Sequence, residues 1–339
     1  MMISSPIKSQ IMNEKLQHIF QSYLVGRVKP IAQQENTDII LNKQQQTIMM
    51  AHLPLEDLIC IKQIMDAGKA GLSSLFQGNL SNAEQAYMTA NQTIKTSQLN
   101  DEGSLVIQDN FNAAKGYFDY RQNKYESAKA NLQISLDACM QLINKYDYDF
   151  LEGRTIHLAC NILKIEACSG NYEKAIKIAC YLIAKMKGNY NSSFYRDIDL
   201  LAPVQHLTFE DQYFLFTQVF GEVAKLLANC DENESSALVN LAVDLIDNGD
   251  HQGDQQFERE YIWFQNKKTL VRGKVIDFLE LSSNFLVEGR STSKLLWHAT
   301  VLDVLKICQN LDSEIATKLQ KQITKDFANY RYLPSVLKA

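Results

Sequence analysis

Apolar residues recur at helical spacing from the first segment of the chain onward. Leu16, Ile19, Phe20, Tyr23 and Leu24 stand at i, i+3, i+4, i+7 and i+8, the stripe of an amphipathic helix. This helix is expected to begin near Glu14 and to end at Pro30; the first ~12 residues are expected to be disordered. Residues 33–46 are polar and glutamine-rich around Ile39, Ile40 and Leu41, which predicts a second helix. Pro54 then opens a long helix containing Gly71. Farther on, Thr208 followed by Phe209, Glu210 and Asp211 has the form of a capped helix start with an acidic first turn. Tyr213, Phe216, Val219, Phe220, Val223, Leu226 and Leu227 give that helix a buried stripe. Residues 237–246 are its expected partner, and Asn248, Gly249 and Asp250 break the chain. Residues 257–286, 294–308 and 313–330 read as further helices, with Gly289 and Asp312 at turns. No sustained two-residue alternation flanked by Asn-Gly or Asp-Gly turns is present, so no strand is predicted.

Within this helical pattern three stretches share one internal spacing. The first has Gly71, Gly78, Asn79, Leu80, Ala83, Tyr87 and Ala90. The second has Gly116, Asn123, Lys124, Tyr125, Ala128, Leu132 and Ser135. The third has Gly170, Asn171, Tyr172, Ala175, Ala179 and Leu182. Gly71 precedes Ala83 by 12 residues, Gly116 precedes Ala128 by 12, and Leu163 holds the corresponding position 12 before Ala175. The arrangement predicts helix, tight turn and helix, with a positive-φ residue at the turn and Leu80, Tyr125 and Tyr172 closing the inter-helix core. Gly71 is expected to face Ala83, and Gly116 to face Ala128, because larger side chains would hold the backbones apart. Such a hairpin cannot bury its own apolar face, so its neighbours must stack on it.

These residues resemble the tetratricopeptide repeat family, whose pattern places a small residue on the first helix, a glycine or asparagine at the turn, and an alanine and an aromatic on the second helix. The resemblance covers residues 60–185; Gly71, Ala83, Tyr87 and Ala90 carry it best. The early tryptophan and closing proline are missing, and the period is 45 then 47 residues, against about 34 in the family. What the resemblance implies is an all-α fold in which antiparallel helical hairpins stack into a tetratricopeptide-like α-solenoid, followed by a C-terminal helical block. The domains would be a helical segment over residues 1–54, the repeat array over 55–187 and a capping block over 204–332, with residues 187–203 as linker. By alignment to the family, the first helix of each hairpin would line a concave groove. Its lining would be Leu72, Leu75 and Phe76, then Asn110, Tyr117, Tyr120 and Arg121, then His157 and Lys164. Tyr120, Arg121 and Lys164 have polar tips and therefore the least reason to be buried between repeats; Leu72, Phe76 and Tyr117 would serve equally as packing between neighbours. The residue set by which some family members grip a terminal carboxylate is not reproduced.

Charge and chemistry narrow the reading. The net charge of −5 comes from well-mixed signs, so no nucleic-acid footprint is visible, and no basic recognition face supports a helix-turn-helix reader in the first two helices. Seven cysteines without a CxxC pair read as small core residues in a reducing cytoplasm. No secretory signal or apolar run long enough to span a bilayer is found, so a cytoplasmic protein without a membrane partner is expected. Nucleotide-loop, nucleophile-elbow and zinc-helix motifs are all missing. Asp244, Asp247, Asp250, His251 and Asp254 form an acidic cluster, but Gly249, His251 and Gln252 occupy the wrong calcium-loop positions. His157 and Cys160 share a helical face without a second ligand pair. No catalytic residue, metal or cofactor is assigned.

The expected function is a non-enzymatic adaptor or regulator that binds a protein or peptide through Phe76, Asn110, Tyr117, Tyr120, Arg121, His157 and Lys164. A peptide-sensing variant has the C-terminal block respond to the ligand. The alternatives are an enzyme or enzyme subunit with a cleft between the blocks around Tyr195, Arg196 and Asp197, and homodimerisation through the C-terminal helices.

Overall fold

A computed structural model describes residues 6–29, 37–188, 206–246, 258–290, 293–330 and 333–337. These residues form fourteen α-helices, two short 3₁₀ turns at Asp149–Leu151 and Ser335–Leu337, and no strand. The chain divides into two compact units, one of Glu35–Leu215 and one of Met1–Gln34 with Phe216–Ala339. This division differs from sequence-based boundaries at 54 and 187–204, and the 1–54 segment is shared between the units. The expected linker, the calcium-like loop and the Tyr195, Arg196 and Asp197 cleft lie almost entirely outside the described residues.

The Glu35–Leu215 unit contains α2 (Thr37–His52), α3 (Leu55–Phe76), α4 (Leu80–Thr96), α5 (Asp101–Arg121), α6 (Tyr125–Tyr146), α7 (Glu152–Cys168) and α8 (Tyr172–Met186). Pro54 is the N-cap of α3. Helix α3 packs on α4, α5 on α6 and α7 on α8; α3 also packs on α5, and α6 on α7. Asparagines cap two of the starts: Asn79 accepts the Asn82 N–H at 3.1 Å and Asn100 the Gly103 N–H at 2.7 Å.

One turn geometry joins all three hairpins. Gly78, Asn123 and Gly170 have φ of 77°, 58° and 81°. The amide after each donates back five residues, Asn79 to Ser74, Lys124 to Asp119 and Asn171 to Glu166. This left-handed cap with a long return bond ends the first helix while satisfying its last carbonyls. A fourth copy lies in the other unit: Gly273 has φ 73° and the Lys274 N–H returns to Thr269. The helix expected over residues 257–286 is therefore two helices, α11 (Glu258–Val271) and α12 (Val275–Val287).

The expected small-residue pairs shift by one turn. A Cβ on Gly71 would lie 2.8 Å from Cζ of Tyr87, and one on Gly116 would lie 3.1 Å from Cγ of Leu132 and 3.2 Å from the Ala128 carbonyl oxygen. Each glycine thus leaves room for a large side chain four residues beyond the alanine, not chiefly for the alanine itself. Ala83, Ala128 and Ala175 are fully buried all the same, and Ala83 joins Leu75, Tyr87, Ala114 and Phe118 in one apolar cluster. Leu80 does not close a core; it is exposed, while Tyr125 and Tyr172 are half-buried.

The second unit comprises α1 (Pro6–Gly26), most of α9 (Phe209–Asn229), α10 (Glu232–Ile246), α11, α12, α13 (Lys294–Gln309) and α14 (Glu314–Phe327). Helix α1 starts at Pro6, ahead of Glu14 and within the segment expected to be disordered. The Thr208 cap of α9 is present: its hydroxyl accepts the Asp211 N–H at 3.1 Å and donates to the Asp211 carboxylate at 2.7 Å. Phe216, Val219, Phe220, Leu226 and Leu227 are buried, with Trp263 edge-on to Phe220 at 6.2 Å. Helix α1 packs on α12 and α14. Tyr23 stacks on Trp297 at 5.5 Å and donates to Asp326 at 2.8 Å, and Arg27 joins the same carboxylate at 2.6 Å. A Cβ on Gly26 would fall 1.9 Å from the Leu286 carbonyl oxygen, so only glycine permits this approach of α1 to α12.

Candidate functional site

The first helices of three consecutive hairpins, α3, α5 and α7, turn one face each toward a common concavity of about 400 Å³. Helix α3 contributes Met65, Lys69, Leu72 and Phe76; α5 contributes Asn110, Ala113, Tyr117 and Tyr120; α7 contributes Arg154, His157, Asn161 and Lys164. The spacings of three and four residues within each set keep all members on one side of their helix. Ile64, Ile107, Ala114, Leu158 and Ile165 form an apolar floor, joined by Leu132 of α6 beside Gly116.

One wall is aromatic. Phe76 lies 5.7 Å from Tyr117, Tyr117 lies 6.3 Å from Tyr120, and Tyr120 lies 6.2 Å from Tyr125, all in tilted contact. Phe76 is 73 % exposed, so this run has an apolar end open to solvent. The Tyr120 hydroxyl stands 3.6 Å from the Cys168 sulfur. Lys164 holds its ammonium 4.8 Å from the centre of the Tyr120 ring, within cation–π reach.

The opposite wall is the polar stripe of α7, anchored at its base by a buried ion pair. Asp109 is fully buried and accepts the Arg154 Nε–H at 2.7 Å and the Ser135 hydroxyl at 2.9 Å. Burial alone would lower the Arg154 pKa, but the adjacent Asp109 charge outweighs it and raises the value. The neighbouring Cys139 thiol is pushed well up, first by burial and then by Asp109, so it stays protonated and inert. Arg154 is thereby fixed as a cation with 27 % of its side chain still exposed. Asn110 donates to the Val106 carbonyl at 2.9 Å, which commits its amide nitrogen to its own helix.

The concavity brings together Phe76, Asn110, Tyr117, Tyr120, His157 and Lys164 of the sequence-derived set, with Leu72. Two residues fall elsewhere. Leu75 is 1 % exposed and belongs to the α3–α4–α5 core, because it sits one residue round the helix from Phe76. Arg121 is outside the lining, at the last turn of α5, where its Nη1 donates to the Tyr117 hydroxyl at 3.1 Å and its guanidinium lies 5.9 Å from that ring. Arg154, Asn161 and Lys69 are lining residues that the sequence pattern did not single out. The signal for the first two was the polar i, i+3, i+7, i+10 series 154, 157, 161 and 164 along one face of the helix. His157 lines the concavity while Cys160 is buried.

Among the described residues no group of three or more His, Cys, Asp or Glu side chains is placed to hold a metal ion, and no helix is long and apolar enough to cross a membrane. In comparisons with known proteins, no family model, no curated protein and no solved structure matches the chain.

Proposed function

We propose that this protein is a non-enzymatic, cytoplasmic adaptor or regulator that binds a peptide or protein segment in the α3–α5–α7 concavity, and that α3 to α8 form a divergent tetratricopeptide-like solenoid. The observation that carries the reading is the convergence of three successive first helices on one trough, with an aromatic run facing a polar stripe. Aromatic side chains anchor a ligand through apolar area at small entropic cost, and flanking amides and cations fix its register. The four left-handed turns of common geometry support the repeat interpretation and extend it to α11 and α12.

The test is affinity capture from lysate of the source cells with wild-type protein and with a Tyr117→Ala/Tyr120→Ala double variant, after circular dichroism has verified equal helicity. Selective loss of interactors by the variant is expected. Retention of the whole set would overturn the assignment of this groove.

A further inference from the structure

The charge of the trough is opposite to that of the molecule. Lys69, Arg154 and Lys164 line it and no Asp or Glu does, although the chain as a whole carries −5. Arg121 adds a fourth cation beside Tyr117 at the end of α5. Arg154 is neutralised by Asp109, but among the described residues no ion pair is formed by Lys69, Arg121 or Lys164. Other basic side chains of this unit are in part paired, Lys115 with Asp119 on α5, Lys129 of α6 with Glu126 and Glu166, and Lys174 of α8 with Glu166. The trough lining thus offers cations with no carboxylate among them. The Asn161 side chain lines the trough and makes no hydrogen bond among the described residues, so its amide donor and acceptor both remain available to a peptide group.

From this complementarity, and resting on the peptide-groove reading above, we infer that the ligand is an acidic peptide segment in which an aromatic or aliphatic side chain is flanked by carboxylates. The apolar residue packs on the floor and along Phe76 and Tyr117. Its neighbouring carboxylates meet Lys164 and Arg121, and Asn161 holds the backbone. The aromatic faces under Lys164 and Arg121 keep those cations in place before the ligand arrives, so less side-chain freedom is lost on binding. Nucleic acid fits less well, because the cations are few and surround an apolar floor instead of tracking a phosphate backbone.

The test is selection of a random peptide display library on the immobilised full-length protein. A recovered peptide is then measured by fluorescence anisotropy against wild type, Arg121→Gln/Lys164→Gln, Lys164→Arg and Phe76→Ala. The recovered pool is expected to be acidic around an apolar residue. The double neutral variant should weaken binding about fivefold, as for two exposed ion pairs, and flatten its salt dependence, whereas Lys164→Arg should retain both. A neutral or basic pool that still depends on Phe76 overturns the acidic ligand and leaves the groove standing. Binding indifferent to Phe76→Ala and to the double neutral variant, or no enrichment at all, overturns the groove reading with it. Displacement of the peptide by inorganic phosphate alone at comparable concentration assigns the site to small anions and overturns the peptide.

Discussion

Two buried titratable side chains give the protein two separate sensitivities to acid. Glu166, fully buried at the end of α7, accepts from Asn171 at 2.7 Å, Lys174 at 2.8 Å and Lys129 at 3.3 Å. Burial pushes its pKa up, but the hydrogen bonds from Lys174 and Asn171 and the lysine charges outweigh that and hold it below the usual 4.5. A carboxyl whose folded pKa is depressed contributes stability that is complete above the unfolded pKa and is lost as pH falls through the folded value. The α7–α8 hairpin is therefore expected to loosen below pH 4.5, and Glu166→Gln to remove that dependence while costing about 2 kcal/mol at neutral pH. Denaturant titrations of both proteins across this range check it. His298 acts in a higher window. It is fully buried among Trp297, Phe327 and Tyr330, neither ring nitrogen has a hydrogen-bond partner among the described residues, and burial, then Arg290 and Lys294, lower its pKa to about 3. Because the folded state refuses the proton, this contribution is complete above 6.5 and falls away between there and about 3. His298→Leu should abolish this component of the pH profile, and an unchanged slope between those limits would refute the account.

At the scale of elements the hairpins are held by exchanged volumes. Gly71 is matched by Tyr87 and Gly116 by Leu132; in the third hairpin the sizes reverse, with Leu163 on the first helix and Ala179 on the second, both buried. Adding a methyl at Gly116 crowds Leu132 and the fixed Ala128 carbonyl, which outweighs the roughly 1 kcal/mol gained in helix propensity, so Gly116→Ala is expected to destabilise by about 1 kcal/mol. The Gly116→Ala/Leu132→Ala double variant should lose less than the sum of the two singles, measured by thermal or denaturant unfolding. Additive losses would mean that the two side chains do not share one space. The turns give an independent check. Gly78 has φ 77° and open space, with nothing within 4 Å of where a Cβ would stand, so Gly78→Ala should cost about 1 kcal/mol from backbone conformation alone, and Asn123→Gly should gain a few tenths at φ 58°. Much of this was legible in the chain. The 12-residue offset and the Gly-Asn or Asn-Lys step mark the hairpins, since a left-handed cap restricts which residues fit. The one-turn displacement from Ala83 to Tyr87 was not legible, because it depends on how two helices cross. The Gly273 turn is masked for a related reason: Phe278 stands where the other copies carry alanine, so the punctuation is hidden in an apolar run. The site was visible as far as polar tips on first helices reveal it, the 154, 157, 161 and 164 series included; the ion pair that fixes Arg154 was not, because its partner Asp109 lies on a different helix, 45 residues away.

For the whole molecule the informative element is α1, the N-terminal helix, which belongs to the unit built by the C-terminal half. Its attachment combines apolar stacking of Tyr23 on Trp297, the close approach allowed by Gly26, and a polar clamp in which Tyr23, Arg27 and Gln322 all donate to Asp326. Burial raises the Asp326 pKa, but the bonds from Gln322, Tyr23 and Arg27 bring it below 3.8, so the clamp is charged at neutral pH. Asp326→Asn keeps the shape and removes the charge, leaving Arg27 half-buried without its counterion. A loss of about 2 kcal/mol in the local stability of this unit is expected. Hydrogen exchange read by mass spectrometry should show faster exchange in α1, α12 and α14 and unchanged protection in α3 to α8, since each unit has its own buried core. Equal loss of protection in both sets of helices would mean that the two units unfold as one, and the N-terminal helix would then be a strut for the entire chain instead of a component of its C-terminal half.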